Sequence, residues 1–83
     1  MGGPAPFGMR WSEGELVPDL AEAAVVLELV EAFIVSAGRV KAVGAALNAK
    51  GRRTRRDAEW SDTAIRRVLQ NPALPELIPQ RLY

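Results

Sequence analysis

The chain has 83 residues, with 11 Lys or Arg against 10 Asp or Glu, and it contains neither cysteine nor histidine. A chain of this length forms one small domain with a thin core, and the missing residue types exclude a disulfide framework, a thiolate metal site and a histidine general base. No stretch approaches the roughly 20 apolar residues of a membrane-spanning helix, and no basic-then-apolar leader opens the sequence, so we expect a cytoplasmic protein without a cofactor.

The charges are strongly divided along the chain. Residues 1–37 carry six acidic side chains against the single base Arg10, whereas residues 38–72 carry nine bases against three acids. The net charges of these segments are therefore −5 and +6. Such an asymmetry indicates an anionic partner for the second half.

The N-terminal part is rich in glycine and proline, which predicts an irregular segment over residues 1–18 that packs on the core. A short hairpin-like turn is expected at Glu13-Gly14. A helix follows over residues 19–37, because Asp19 can cap it, Glu22 stands three residues on as in a capping box, and Gly38 can end it. The three glutamates of this helix are expected on its solvent face: Glu22, Glu28 and Glu31.

Two shorter helices are predicted next. One covers residues 39–50 and ends at Gly51; it contains Gly44, whose small size permits close approach to another helix. The other covers residues 61–71, between the N-cap Ser61 and the helix-breaking Pro72. Residues 73–83 are expected to form a proline-rich extended tail, with a short turn near residues 76–78. The predicted core consists of Val26, Val30, Phe33, Val43, Leu47, Trp60, Ile65 and Leu69.

These elements predict a mainly α, three-helix domain over residues 19–72. The order helix, basic connection, helix is that of a helix-turn-helix with an enlarged turn or wing, in which the last helix enters the major groove of double-stranded DNA. Trp60 can fix the connection to the core. The side chains predicted to contact DNA are Arg39, Lys41, Lys50, Arg52, Arg53, Arg55, Arg56, Thr63, Arg66, Arg67 and Gln70.

An ordered series of short motifs also runs through residues 5–72. Its members are Pro6-Phe7-Gly8, Glu22-Ala23, Gly38, Leu47-Asn48, Gly51, Thr54-Arg55, Trp60-Ser61 and the stretch from Leu69 to Pro72. In this order and spacing the series resembles the recombinase domain of large serine recombinases, the relatives of phage integrases and transposon resolvases. The sequence departs from the family pattern at Met9, where an aromatic is usual, at Arg39, where a capping Ser or Thr is usual, and after Pro72, where an aromatic and a glycine normally follow.

The resemblance implies a module that binds attachment-site DNA. The family's catalytic serine domain and its cysteine-rich zinc domain have no counterpart here, so we expect an excised domain or a remnant that does not cut DNA. It implies a monomer in isolation and a dimeric or tetrameric parent protein. Two alternatives stay open: a standalone winged-helix transcriptional regulator, and a protein-interaction domain that uses the apolar flank of the first helix and the tail.

Overall fold

The computed structural model describes residues 3–71 and Leu74. Over these residues the chain forms a two-stranded sheet followed by three helices: β1 (Met9–Ser12), β2 (Glu15–Pro18), α1 (Leu20–Val35), α2 (Val40–Ala49) and α3 (Asp62–Leu69). The prediction of a mainly α domain with three helices is therefore confirmed, with helices two to three residues shorter than expected. Of the predicted tail over residues 73–83, all but Leu74 lies outside the described residues, as does Pro72. None of the helices in the described part is long and apolar enough to cross a membrane.

The prediction of an irregular N-terminal segment is wrong for residues 9–18, which form an antiparallel hairpin. The strands pair from Met9 with Pro18 to Ser12 with Glu15. The two residues between them, Glu13 and Gly14, have φ angles of 51° and 81°, as a two-residue hairpin turn requires. The predicted turn is thus confirmed, while strands of four residues are too short for their alternation to stand out among glycines and prolines.

Helix α1 begins after the predicted cap Asp19, but it ends at Val35, two residues earlier than predicted. The Oδ1 atom of Asp19 accepts a hydrogen bond from the Glu22 amide at 3.1 Å. At the other end the Gly38 amide donates to the Phe33 carbonyl and the Ala37 amide to the Ile34 carbonyl, which is the Schellman pattern of helix termination. Ala37 occupies the left-handed position of this motif with φ of 57°, a conformation that an L-residue other than glycine adopts at a cost.

The core lies where the three helices meet, and Met9 of the hairpin is also buried. The predicted core is confirmed for six residues, whereas Phe33 and Leu69 are only partly buried at its edge. Leu29, which is absent from the predicted core, is fully buried. Because α1 is apolar on nearly every side, its periodicity does not single out one face, and the packing of α2 and α3 decides which side is covered.

Gly44 allows α2 to approach α3 closely, as predicted. A Cβ atom at this position would lie 3.3 Å from Cδ1 of Ile65 and 3.4 Å from the backbone oxygen of Trp60. The glycine therefore sets the separation between α2 and the start of α3.

Candidate nucleic-acid interface

The exposed face of α3 carries four polar side chains. The Oγ atom of Ser61 caps the helix by accepting a hydrogen bond from the Ala64 amide at 3.2 Å, and Ile65 and Val68 point into the core. At 100° per residue, three polar positions of α3 and its C-cap Gln70 fall within one third of the helix circumference. All four are exposed, as predicted: Thr63, Arg66, Arg67 and Gln70.

A side chain of α2 holds the backbone just before α3. The Nδ2 atom of Asn48 donates to the Trp60 carbonyl at 3.1 Å, and its Oδ1 atom accepts from the Trp60 amide at 2.8 Å. The Trp60 ring is 5% exposed and meets the ring of Phe7 edge to face, with 5.1 Å between centroids. The connection is therefore fixed to the core at Trp60 by both its ring and its backbone.

The connection between α2 and α3, residues 50–61, orients its four arginines in two directions. Arg52 forms two hydrogen bonds to the carboxylate of Glu28 at 2.7 and 2.8 Å, and Arg55 forms an ion pair with Glu22. Arg53 is exposed, and its one hydrogen bond within residues 3–71 goes to the neighbouring Arg52 carbonyl. Arg56 is exposed and forms no ion pair with any residue that the structure describes. Two guanidinium groups thus bind acids of α1, and the two others face solvent.

Arg55 joins three parts of the chain. Its Nε atom donates to Glu22 at 2.8 Å, and its terminal nitrogens donate to the carbonyls of Ala5, Pro6 and Met9 at 2.7 to 3.1 Å. The guanidinium also lies 5.9 Å from the centroid of the Phe7 ring, within the range of a cation–π contact. This side chain therefore links the connection, the N-terminal segment and α1.

The two glutamates of α1 are ionised partners and not solvent-facing charges. Hydrogen bonding to Arg55 holds the pKa of Glu22 below its ordinary value, with a further contribution from the Gly8 amide. Hydrogen bonding to Arg52 lowers the pKa of Glu28 in the same way. The prediction that both face solvent is wrong, because it ignored the excess of arginine downstream; the third glutamate of the helix, Glu31, is exposed as predicted.

A groove of about 850 Å³ runs between the N-terminal segment, the connection and α3. The Phe7 and Trp60 side chains line it, and Arg56, Arg67 and Gln70 supply polar groups along it. The connection and one side of α3 therefore border a largely apolar groove, to which Arg56 and Arg67 add positive charge and Glu59 adds negative charge.

The remaining predicted contacts lie on α2 or directly beside its two ends. Arg39 and Lys41 are exposed at its N-terminal end, about one helix length from the connection, and neither lines the groove. Lys50 is exposed at the other end, near Glu28. The structure does not bring these three together with the polar face of α3.

Sequence reasoning missed the roles of Asn48 and of the two paired glutamates. For Glu22 and Glu28 the signal was present in the net charges of −5 and +6 over the two halves, which favour pairing between them. For Asn48 the only signal was an amide inside a short helix that otherwise consists of apolar residues and one lysine, together with its place in the family-like motif. No group of acidic side chains suited to a metal ion occurs within residues 3–71 and at Leu74.

Together these observations define a small α-helical domain with a structured connection and a polar, basic last helix. The model of the Recombinase family matches residues 20–74, more than half of the chain, and the chain therefore belongs to the Recombinase family. The matched region includes all three helices and the connection, and it supports a function related to DNA recombination. Neither the curated proteins nor the solved structures contain a significant match to this chain.

Proposed function

We propose that this chain is a DNA-binding module of a serine site-specific recombinase that recognises double-stranded attachment-site DNA. The observation that carries the proposal is the surface shared by the connection and α3, where Arg56 and Arg67 line the same groove. In a helix-turn-helix reading, α2 and α3 with their connection dock on the duplex, and α3 enters the major groove.

The two directions of the arginines refine the predicted contacts. Arg52 and Arg55 already bind carboxylates of α1 and leave little capacity for a phosphate. Arg53 and Arg56 are free to reach the DNA backbone, while Thr63, Arg66, Arg67 and Gln70 present their polar atoms to the base edges and flanking phosphates. Arg39, Lys41 and Lys50 are the weaker candidates because the first two lie at the far end of α2 and Lys50 lies near the carboxylate of Glu28.

The same proposal assigns no catalysis to this chain. Its hydroxyl groups have no histidine nearby to activate them, since the sequence contains none. Strand cleavage would belong to a catalytic serine domain of the parent recombinase, which acts as a dimer or tetramer in the cytoplasm, whereas this module alone is a monomer.

A titration against a duplex of arbitrary sequence tests the proposal. Phosphate contacts release counterions, so each arginine that binds a phosphate contributes about one unit to the slope of log affinity against log salt. Arg53→Gln and Arg56→Gln should each weaken binding and lower this slope. Arg10→Gln is the matched control, because Arg10 is an exposed base on the hairpin with the same charge. Equal effects of all three substitutions, or no binding at low salt, would contradict the proposal.

A protein-interaction role is the second candidate, and one observation favours it. The side chains of Leu20, Ile34 and Val35 on α1 are 85%, 51% and 87% exposed. Apolar surface of this kind often marks an interface. If the chain failed to bind any duplex while Leu20→Ser abolished association with a second protein, this candidate would replace the first.

A further inference from the structure

We infer that Asn48 is a positioning residue for DNA recognition: by hydrogen bonding to the Trp60 backbone, it fixes the direction in which α3 presents its side chains to the bases. The inference rests on the proposed DNA-binding function and adds to it the residue that sets the register of the recognition helix. Asn48 itself lies on α2 and is not among the groove-lining residues.

Asn48 holds the backbone of Trp60 by hydrogen bonds just before α3 begins. Trp60 directly precedes the N-cap Ser61, and α3 begins at Asp62. Neither the amide nor the carbonyl of Trp60 takes part in the hydrogen bonds of α3, so both need partners from elsewhere. Asn48 supplies a donor and an acceptor from one planar amide, and this fixes both the position and the rotation of the Trp60 peptide groups.

Gly44 leaves room for the Trp60 backbone against α2. Gly44 lies one helical turn before Asn48 on the same face of α2, and a Cβ atom there would lie 3.4 Å from the Trp60 oxygen. Gly44 allows the Trp60 carbonyl to approach α2, and Asn48 donates a hydrogen bond to it. Gly44 and Asn48 of α2 thus position the start of α3, separately from the contact between the Trp60 and Phe7 rings.

The position of the first turn of α3 determines how this helix can present its side chains to DNA. Helix α3 has only eight residues, and its buried face contacts the core through Ile65 and Val68. Such a short helix can rock about its two buried side chains unless its first turn is fixed. Reading a base edge requires donor and acceptor atoms within hydrogen-bond distance, so rocking would erase sequence preference, whereas phosphate contacts by flexible arginines tolerate it.

The test measures sequence discrimination separately from affinity. The wild-type 83-residue chain is used to select preferred duplexes from a randomised library, and each variant is then titrated against the selected duplex and a scrambled one. For Asn48→Ala and the nearly isosteric Asn48→Asp we expect the ratio of the two affinities to fall about tenfold, as expected when a base contact is misplaced. Binding to the scrambled duplex should stay within about twofold, because phosphate contacts dominate it.

Val43→Ala is the control for loss of stability alone. Val43 is fully buried on α2, and its side chain cannot form a hydrogen bond to the Trp60 backbone. This substitution should lower the unfolding midpoint but preserve the affinity ratio. Hydrogen exchange at the Trp60 amide should accelerate more than exchange at the amides of α1 in Asn48→Ala, whereas the control should accelerate both alike. An affinity ratio in the Asn48 variants equal to that of Val43→Ala would overturn the inference and leave DNA binding standing. So would a wild-type chain that binds duplexes without any preference, whereas a wild-type chain that binds no duplex would refute both.

Discussion

Arg55 and Arg56 are neighbours in the sequence with opposite structural environments, and this makes them a matched pair for mutation. Arg55 binds Glu22 and three backbone carbonyls, whereas Arg56 is exposed and unpaired with any acid among residues 3–71. Replacing Arg55 with alanine should therefore destabilise the fold, and the same change at Arg56 should hardly affect it.

The magnitude follows from the contacts that are lost. The side chains of Arg55 and Glu22 are 42% and 17% exposed, so their ion pair counts as a partly solvated one and contributes about 1 kcal/mol. The hydrogen bonds to the three carbonyls contribute about another 1 kcal/mol together, because water replaces part of each when the guanidinium is removed. Arg55→Ala should thus lower the free energy of unfolding by about 2 kcal/mol, or the unfolding midpoint by about 8–16 °C for a domain of this size.

Thermal unfolding followed by circular dichroism is the assay, with Arg56→Ala as the control at less than about 0.5 kcal/mol. Arg55→Lys should recover only a small part of the loss, since an ammonium group cannot reproduce the forked geometry that reaches both Glu22 oxygens. If Arg55→Ala and Arg56→Ala unfolded at the same temperature, the division of the arginines into structural and solvent-facing groups would be refuted.

Three further outcomes are expected from the same structure. Ala37→Gly should raise the unfolding free energy by about 0.5–1 kcal/mol because it relieves a left-handed residue, while Gly51→Ala, with φ of 78° and open space around it, should lower it by a similar amount; opposite signs in urea titrations check this. Leu29→Ala should cost about 2–5 kcal/mol by opening a cavity, and equal midpoints for it and the exposed-site change Leu20→Ala would contradict the assigned core. The pKa of Glu22 is lowered in the folded state, so its ionised form stabilises the fold at pH values above the ordinary pKa of 4.5, and this contribution is lost as the pH falls through the lowered pKa. The free energy of unfolding of Glu22→Gln should therefore fall less steeply with acid than that of the wild type. An unchanged pH profile would speak against the pairing with Arg55.

Much of the backbone architecture could be predicted from local signals. Asp19, Ser61 and the glycine after α2 mark helix boundaries through short-range chemistry, and the structure has each of them in that role. The same is true of the turn at Glu13-Gly14. Capping and turn preferences depend on residues within a few positions of each other, so one sequence is enough to read them.

The pairing of side chains across the fold could not be predicted in the same way. Glu22 fits a capping box, but its carboxylate turns away from the helix start and binds Arg55, 33 residues later, together with the Gly8 amide. The capping prediction identified one hydrogen bond correctly and missed the partner of the carboxylate. Long-range pairs of this kind depend on how the N-terminal segment packs, which a helical period does not encode.

The core prediction failed at particular positions for a related reason. Leu29 and Phe33 lie on neighbouring sides of a helix whose surface is apolar almost all round, so the sequence could not rank them. Contact with α2 and α3 buries Leu29 completely and leaves Phe33 at the edge. The orientation of the exposed face of α3 was easier to predict, because Ile65 and Val68 alternate with polar residues at a clear helical spacing.

The central claim is that the groove between the connection and α3 binds duplex DNA. The decisive test is a salt-dependent titration of the double substitution Arg56→Gln with Arg67→Gln. Its control is Arg10→Glu, which changes the net charge by the same two units at an exposed base of the hairpin that does not line the groove. We expect the groove variant to lose affinity and about two units of salt slope, while the control stays close to the wild type. Equal affinities and slopes for the two variants would contradict it.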